Sequence, residues 1–507
     1  MKNTKNKKRK KYFYLKRIFG ISGTAIVFLY LILLIPEGNI SITKRAQNQP
    51  FIWNQDSLWF ALEVRFIKAR QIGCDQLSVS INESLLSIHN LLDTISSHPL
   101  QPDARQFSVL EDAMFRLAPL IGACQHRLTD YIELFSRLRY IVKTQSLGWN
   151  MNNVAARQTI YRLIYGGRAA VEEVMLQASQ ETIPALVVGP EEPSKTPVAN
   201  ILGVTIHSGD ILISRGGAPT SALIARGNDY PGNFSHAALV YVDEKTLLAS
   251  VIEAHIEKGV AVATFDEYLK DKKLRVMVLR LRADLPQLIA DPMLPHKAAL
   301  LALNNAMIHH IPYDFEMNYD DHTKLFCSEV ASAPYQKLGV NLWMGISSIS
   351  SPGIVQWLSS FGVKYFKTQE PSDLEYDPQI RVIAEWRDSK TLFKDHVDNA
   401  VIEGMLECAE SGKELSYSWY MLPIARISKF YSSLLNMFGL VGPIPEGMSA
   451  TAGLRNKSLT DDHSVIKSRV ELLAIEFNKK QKYTAPYWQL LKFTKNVILD
   501  LNYCNGY

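Results

Sequence analysis

The chain has 507 residues, 47% of them hydrophobic and 21% charged, which excludes wholesale disorder and points to about two to four domains. Its formal charge of +5 is unevenly spread: residues 1–17 hold nine of the 55 Lys and Arg and no acid, leaving 46 basic against 50 acidic residues elsewhere. A nucleic-acid binder carries its basic excess on a folded domain rather than on one tail, so that class is excluded.

The basic run Lys5 to Lys11, followed by Lys16-Arg17, leads directly into Ile18 to Ile35, 18 residues without a charge. As a helix this stretch would reach about 27 Å, close to a hydrocarbon core of roughly 30 Å. The competing readings are a buried core helix and a cleaved signal peptide. The one-sided basic flank opposes the first; the second lacks a small-x-small site, because Leu34-Ile35-Pro36-Glu37-Gly38 follows. The expectation is an uncleaved anchor at 18–35 in the inner membrane, with a cytoplasmic tail at 1–17 and the body outside, in the periplasm of a bacterium. An oxidising compartment would permit Cys74–Cys124 and Cys408–Cys504 and leave Cys327 single; scattered buried thiols are the alternative.

From 52 to 180 the pattern is helical, clearest where Ile81, Leu85, Ile88, Leu92 and Ile95 form one stripe. Residues 181–198, with Pro190, Pro193 and Pro197 among polar neighbours, read as a linker. Between 199 and 370 the pattern turns mixed. Asp210 to Ser214, Ala237 to Tyr241, Leu247 to Ile252, Val260 to Thr264 and Arg275 to Arg282 are strand-like. Thr264-Phe265-Asp266-Glu267 is a capping box that opens a helix, and Pro295 to His310 is a further helix. Residues 375–507 are again mainly helical. Within them Met421 to Phe438 is apolar but carries Pro423, Arg426 and Lys429, and so reads as a core or membrane-surface helix rather than a span. The predicted fold class is therefore α+β, with a mixed domain between helical flanks behind an N-terminal transmembrane helix.

Two places carry chemistry. His236 opens the apolar strand of Ser235-His236-Ala237-Ala238, and Cys327 precedes the helical run from Ser328 to Leu338. A helix N-terminus favours a thiolate, and its free N–H groups suit an oxyanion. A thiolate paired with an imidazolium is the working unit of cysteine acyl-transfer enzymes. Glu253, on the strand after that of His236, is placed to hold the imidazole, with His255 two residues on as an alternative base. On spacing alone such residues are more often structural. His309, His310 and His322 fit no metal motif, and neither a metal nor a cofactor is expected.

The set Gly209-Asp210-Ile211-Leu212, Ser235-His236, Glu253-Ala254, Pro312-Tyr313-Asp314 and Phe326-Cys327-Ser328-Glu329 resembles the YaeF/YiiX family. These are permuted papain-like enzymes related to the NlpC/P60 amidases, in which histidine precedes cysteine. The resemblance covers roughly 199–370. It implies a permuted papain-like domain with Cys327 as nucleophile, His236 as base and Glu253 as third member. Family members generally carry tyrosine before the cysteine, where this chain has Phe326. Tyr313, Asp210 and Glu329 are substrate-binding candidates; their plainer roles are turn packing, turn fixing and support of a helix's first turn. The leading functional expectation is an anchored cysteine hydrolase or acyltransferase acting on an amide or ester, either a cell-wall peptide or a lipid acyl group. The alternative is an anchored scaffold that binds peptide or lipid without turnover. Oligomeric state is left open.

Overall fold

The computed structural model describes residues 24, 27–35, 49–52, 55–270, 273–387 and 389–505. Of the expected anchor at 18–35, residues 18–23 and 25–26 lie outside the described residues, and 27–33 are helical. No helix among the described residues is long and apolar enough to cross a membrane.

The N-terminal part is a bundle of Gln55–Ile72, Cys74–Ser96, Arg105–Ala123 and Leu128–Gln145. Val154–Tyr161 then continues through a π-helical turn at Arg162–Gly166 into Gly167–Gln177. The apolar stripe read from the sequence is the buried side of Cys74–Ser96: Ile81, Leu85, Ile88, Leu92 and Ile95 are all in the core. A Cys74–Cys124 disulfide ties the start of that helix to the end of Arg105–Ala123.

The middle of the molecule is a seven-stranded sheet. In chain order the strands are β1 (Leu186–Val188), β2 (Val198–Ile201), β3 (Val204–His207), β4 (Ile211–Gly216), β5 (His236–Val242), β6 (Ala249–His255), β7 (Gly259–Thr264), β8 (Lys273–Leu281), β9 (Ser347–Ser348), β10 (Lys367–Thr368) and β11 (Ile380–Trp386). The sheet order is β1-β11-β8-β4-β5-β6-β7, with every pairing antiparallel, while β2–β3 and β9–β10 form separate hairpin-like pairs. Alternate residues pack on opposite faces. Ile211, Ile213, Leu239 and Ile252 meet the helices Leu294–Ile308 and Glu329–Lys337, whereas Leu212, Ala238, Val240 and Val251 meet β3, Phe265 and Tyr268. The capping box forms as read: the Glu267 N–H donates to Thr264 Oγ1 and the Thr264 N–H donates to Glu267 Oε2. Gly209 is required before β4, because its φ is +95° and a Cβ there would stand 2.3 Å from Pro295.

The C-terminal part packs Pro352–Phe361, Ser389–Glu410, Leu422–Asn436, Ala450–Gln481 and Tyr487–Asp500 around a separate apolar core. A second disulfide joins Cys408 to Cys504, and Cys327 is free and buried.

Two strands cross the boundaries expected from composition. β1 lies in the proline-rich linker and β11 lies in the region read as C-terminal and helical, so the sheet exceeds 199–370 at both ends. A buried ionic layer seals the three parts together. Glu172 of the N-terminal bundle faces Arg275 of β8 at 2.6 Å, Arg387 at 3.3 Å and His396 of Ser389–Glu410 at 3.2 Å. Glu385 of β11 binds Arg168 and Arg387, each at 2.8 Å, and Asp395 binds Arg275 at 2.6 Å.

Candidate active site

The cleft is assembled at one end of the sheet. The registers Ser214↔His236 and Ala238↔Glu253 put His236 and Glu253 on one face of adjacent strands, diagonal to each other and within side-chain reach. Glu253 Oε2 lies 2.8 Å from His236 Nε2, and its Oε1 lies 3.0 Å from His255 Nε2. One buried carboxylate therefore serves two imidazoles, and His255 is its second partner. Cys327 lines the same cleft as this hydrogen-bonded pair.

Cys327 sits just before the helix Glu329–Lys337, 5% exposed, with Sγ 4.0 Å from the Ser235 carbonyl oxygen. Its turn is stitched to the Pro312-Tyr313-Asp314 segment: the Leu325 N–H donates to Pro312 O at 3.1 Å and the Asp314 N–H donates to Leu325 O at 3.2 Å. Two of the short motifs picked out in the sequence thus form one structural unit.

The electrostatics follow from this packing. Burial opposes charge on His236, but its hydrogen bonds to Cys327 and Glu253 outweigh that and lift it to about 9. Burial likewise opposes ionisation of Glu253, yet hydrogen bonds from His236 and His255 hold it below the usual carboxylate range. For Cys327 burial favours the thiol, and the His236 hydrogen bond and charge reverse that, lowering it from the ordinary thiol value. The two titrations belong to the pair rather than to either residue.

A cavity of about 640 Å³ opens over these groups, lined among others by Ser214, Ser221, His236, Glu253, Tyr313 and Cys327. Tyr313 thus lines the cleft. The other two candidates do not line it. Asp210 is buried and held by Arg280, whose Nε and Nη2 each approach a carboxylate oxygen to 2.8 Å, and it also accepts the His207 N–H. Its role is to fix the turn into β4. Glu329 is 0% exposed, accepts the Phe326 N–H at 3.0 Å and meets His322 Nδ1 at 3.2 Å, bracing the nucleophile's turn from behind. Burial, with Asp314 and Cys327 nearby, pushes its carboxyl up to about 9. Cleft residues that sequence reasoning missed include Ile256, Lys258, Lys273 and Val441. Val441 comes from the C-terminal part, and no local pattern ties it to the others.

No curated protein matches this chain. No solved structure matches it either. One family does: residues 205–384 match the permuted papain-like amidase enzyme, YaeF/YiiX, C92 family. That span begins in β3 and ends in β11, and so takes in every cleft residue named above except Val441. Residues 205–384 are thus a domain of the permuted papain-like amidases, and this chain carries a cysteine-amidase-type hydrolase domain.

Proposed function

We propose that the chain is a membrane-anchored cysteine hydrolase or acyltransferase that opens an amide or ester through Cys327, His236 and Glu253. The observation that carries this reading is the Glu253–His236 hydrogen bond at the wall of an open cleft that Cys327 also lines, its Sγ 4.0 Å from the carbonyl oxygen of the residue before His236. His236 takes the thiol proton, and the thiolate attacks the carbonyl carbon to give a tetrahedral oxyanion. The Cys327 N–H, which has no acceptor among the described residues and lies just before a helix start, is the donor this reading assigns to that oxyanion. Collapse breaks the bond to the leaving amine or alcohol, which receives the proton from His236, and a thioester remains. Water or an acceptor amine or alcohol then gives its proton to His236 and attacks the thioester, releasing the acyl product and the thiol. Glu253 orients the ring and stabilises its charged form.

The anchor is the apolar 18–35 segment behind its basic tail, and the body faces an oxidising compartment. Two disulfides support that compartment. Substrates within reach of such an enzyme are cell-wall peptides and lipid acyl groups. The test is intact-mass spectrometry of the full chain after an electrophilic acyl-amide probe, with peptide mapping. A single adduct on Cys327, absent in His236→Ala, is the expected result. A folded protein without preferential labelling at Cys327 would overturn the catalytic reading in favour of a binding scaffold.

A further inference from the structure

The helix Leu422–Asn436 is amphipathic the wrong way round for a soluble protein. Its inward side is Leu422, Ala425 and Ser432, largely small, while Ile424, Ile427, Phe430, Leu434, Met437 and Phe438 point outward on this helix and the turn after it. Between 419 and 441 the only charges are Arg426 and Lys429. Both are turned away from that face: Arg426 donates to the carbonyls of Leu33 at 3.1 Å and Ile35 at 2.6 Å, and Lys429 donates to those of Pro445 at 2.8 Å and Glu446 at 2.6 Å. An uncharged apolar patch of this extent marks an interaction surface, and Trp419 and Tyr420 at its edge suit a membrane–water interface.

Two further observations say what covers it. First, the apolar N-terminal segment ends on this helix, through the Arg426 contacts and a Tyr30 hydroxyl donating to Tyr420 O at 3.2 Å. Residues 27–32 beside it are themselves apolar and exposed. Second, the helix is tied to the catalytic cleft. The 445–446 carbonyls that hold Lys429 belong to a segment whose Glu446 and Gly447 N–H groups donate to Glu257 O and Ile256 O, on the cleft rim. Val441, at the end of the apolar run, lines the cleft itself.

We infer that the outward face of Leu422–Asn436 and the loop to Val441 lies in the lipid bilayer surface next to the anchor, so that the cleft opens onto the membrane and draws an acyl-bearing amphiphile from it. The substrate half of this inference rests on the cleft being the active site; the contact half does not. The basic side chains near the face are used internally, so attachment is by apolar insertion and is insensitive to salt.

The test uses the full chain reconstituted in vesicles of phosphatidylethanolamine and phosphatidylglycerol. A bimane label is placed on Phe438→Cys in a Cys327→Ser background, and quenching by nitroxide-labelled lipid is compared with quenching by aqueous iodide. Lipid quenching with protection from iodide is expected. Iodide quenching alone would overturn the contact, and so would protection from iodide in the absence of vesicles, which would assign the face to a second copy of the chain. In parallel, Phe430→Glu and Met437→Glu, both exposed substitutions, are assayed with a long-chain acyl anilide held in the vesicles and with its water-soluble short-chain analogue. A loss of at least tenfold on the vesicle-borne substrate, with the soluble one unchanged, is expected; equal turnover of the vesicle-borne substrate by wild type and variants would overturn the orientation. If wild type turned over neither anilide and left Cys327 unlabelled, the catalytic reading would fall and the substrate half with it, while the bimane result would still decide the contact.

Discussion

Glu253→Gln isolates the charge that the proposed mechanism assigns to the third residue. The substitution fits the site: an amide oxygen still accepts from His236, and an amide nitrogen can donate to His255, replacing both contacts of the 1%-exposed carboxylate. What is lost is a charge-assisted hydrogen bond in a buried place, worth about 1.5–3 kcal/mol. At about 1.4 kcal/mol for each pH unit, His236 falls from about 9 by about 1–2 pH units. The imidazolium that holds Cys327 as thiolate weakens with it. The alkylation midpoint of Cys327 should therefore rise by a similar amount, and labelling by iodoacetamide at pH 7 should slow by about 10–100-fold. Rates of labelling between pH 5 and 10, followed by mass spectrometry with circular dichroism as a fold control, give the midpoint directly. An unchanged midpoint in a folded variant would refute the claim that Glu253 acts through His236 on the thiol.

Asp210→Asn should separate structure from catalysis in the opposite sense. It leaves the buried Arg280 charge without its partner and should cost about 3–5 kcal/mol in urea unfolding, with Cys327 labelling unaltered; slower labelling at unchanged stability would restore Asp210 to the substrate site. The ionic layer should give a pH-dependent stability. Burial opposes charge on His396, but Glu172 and Glu173 raise it to about 9. Because the folded value exceeds the unfolded one, the contribution is full below about pH 6.5 and is lost as pH rises through about 9, by roughly 3 kcal/mol. The melting temperature should decline over that interval and decline less in His396→Gln; parallel curves would contradict the assignment.

Much of the site was legible because its parts sit at the ends of elements. A histidine opening a strand and a cysteine before a helix are local features that spacing alone leaves ambiguous. It is the resemblance of five short motifs to the YaeF/YiiX family that singles them out together with Glu253, one hairpin on from His236. Asp210 and Glu329 were assigned wider roles because nothing local reveals what faces them. Asp210 meets Arg280, 70 residues later, and Glu329 folds back onto its own turn. The sheet's far edge escaped for the same reason. β1 is three residues among prolines, and β11 carries Arg381 and Glu385, which read as surface charge until their buried partners on distant segments are known. The reversed amphipathicity of Leu422–Asn436 was half visible: periodicity shows a face, but only packing shows which way it turns.

The ionic layer also bears on how this domain can be inherited. Arg215 and Arg275 lie within the stretch that matches the family, whereas Glu172, Glu385 and Asp395, their acidic partners, lie outside it. The stretch that matches the family and the electrically self-sufficient unit are therefore different lengths of chain. A relative built from the shared stretch alone would have to dispose of those guanidinium groups by other means, through uncharged residues at the same strand positions or flanking acids of its own. Here the flanks are the counter-ions of the enzyme domain. Their sequences are consequently tied to the two arginine positions on its strands, however freely the rest of their surface drifts.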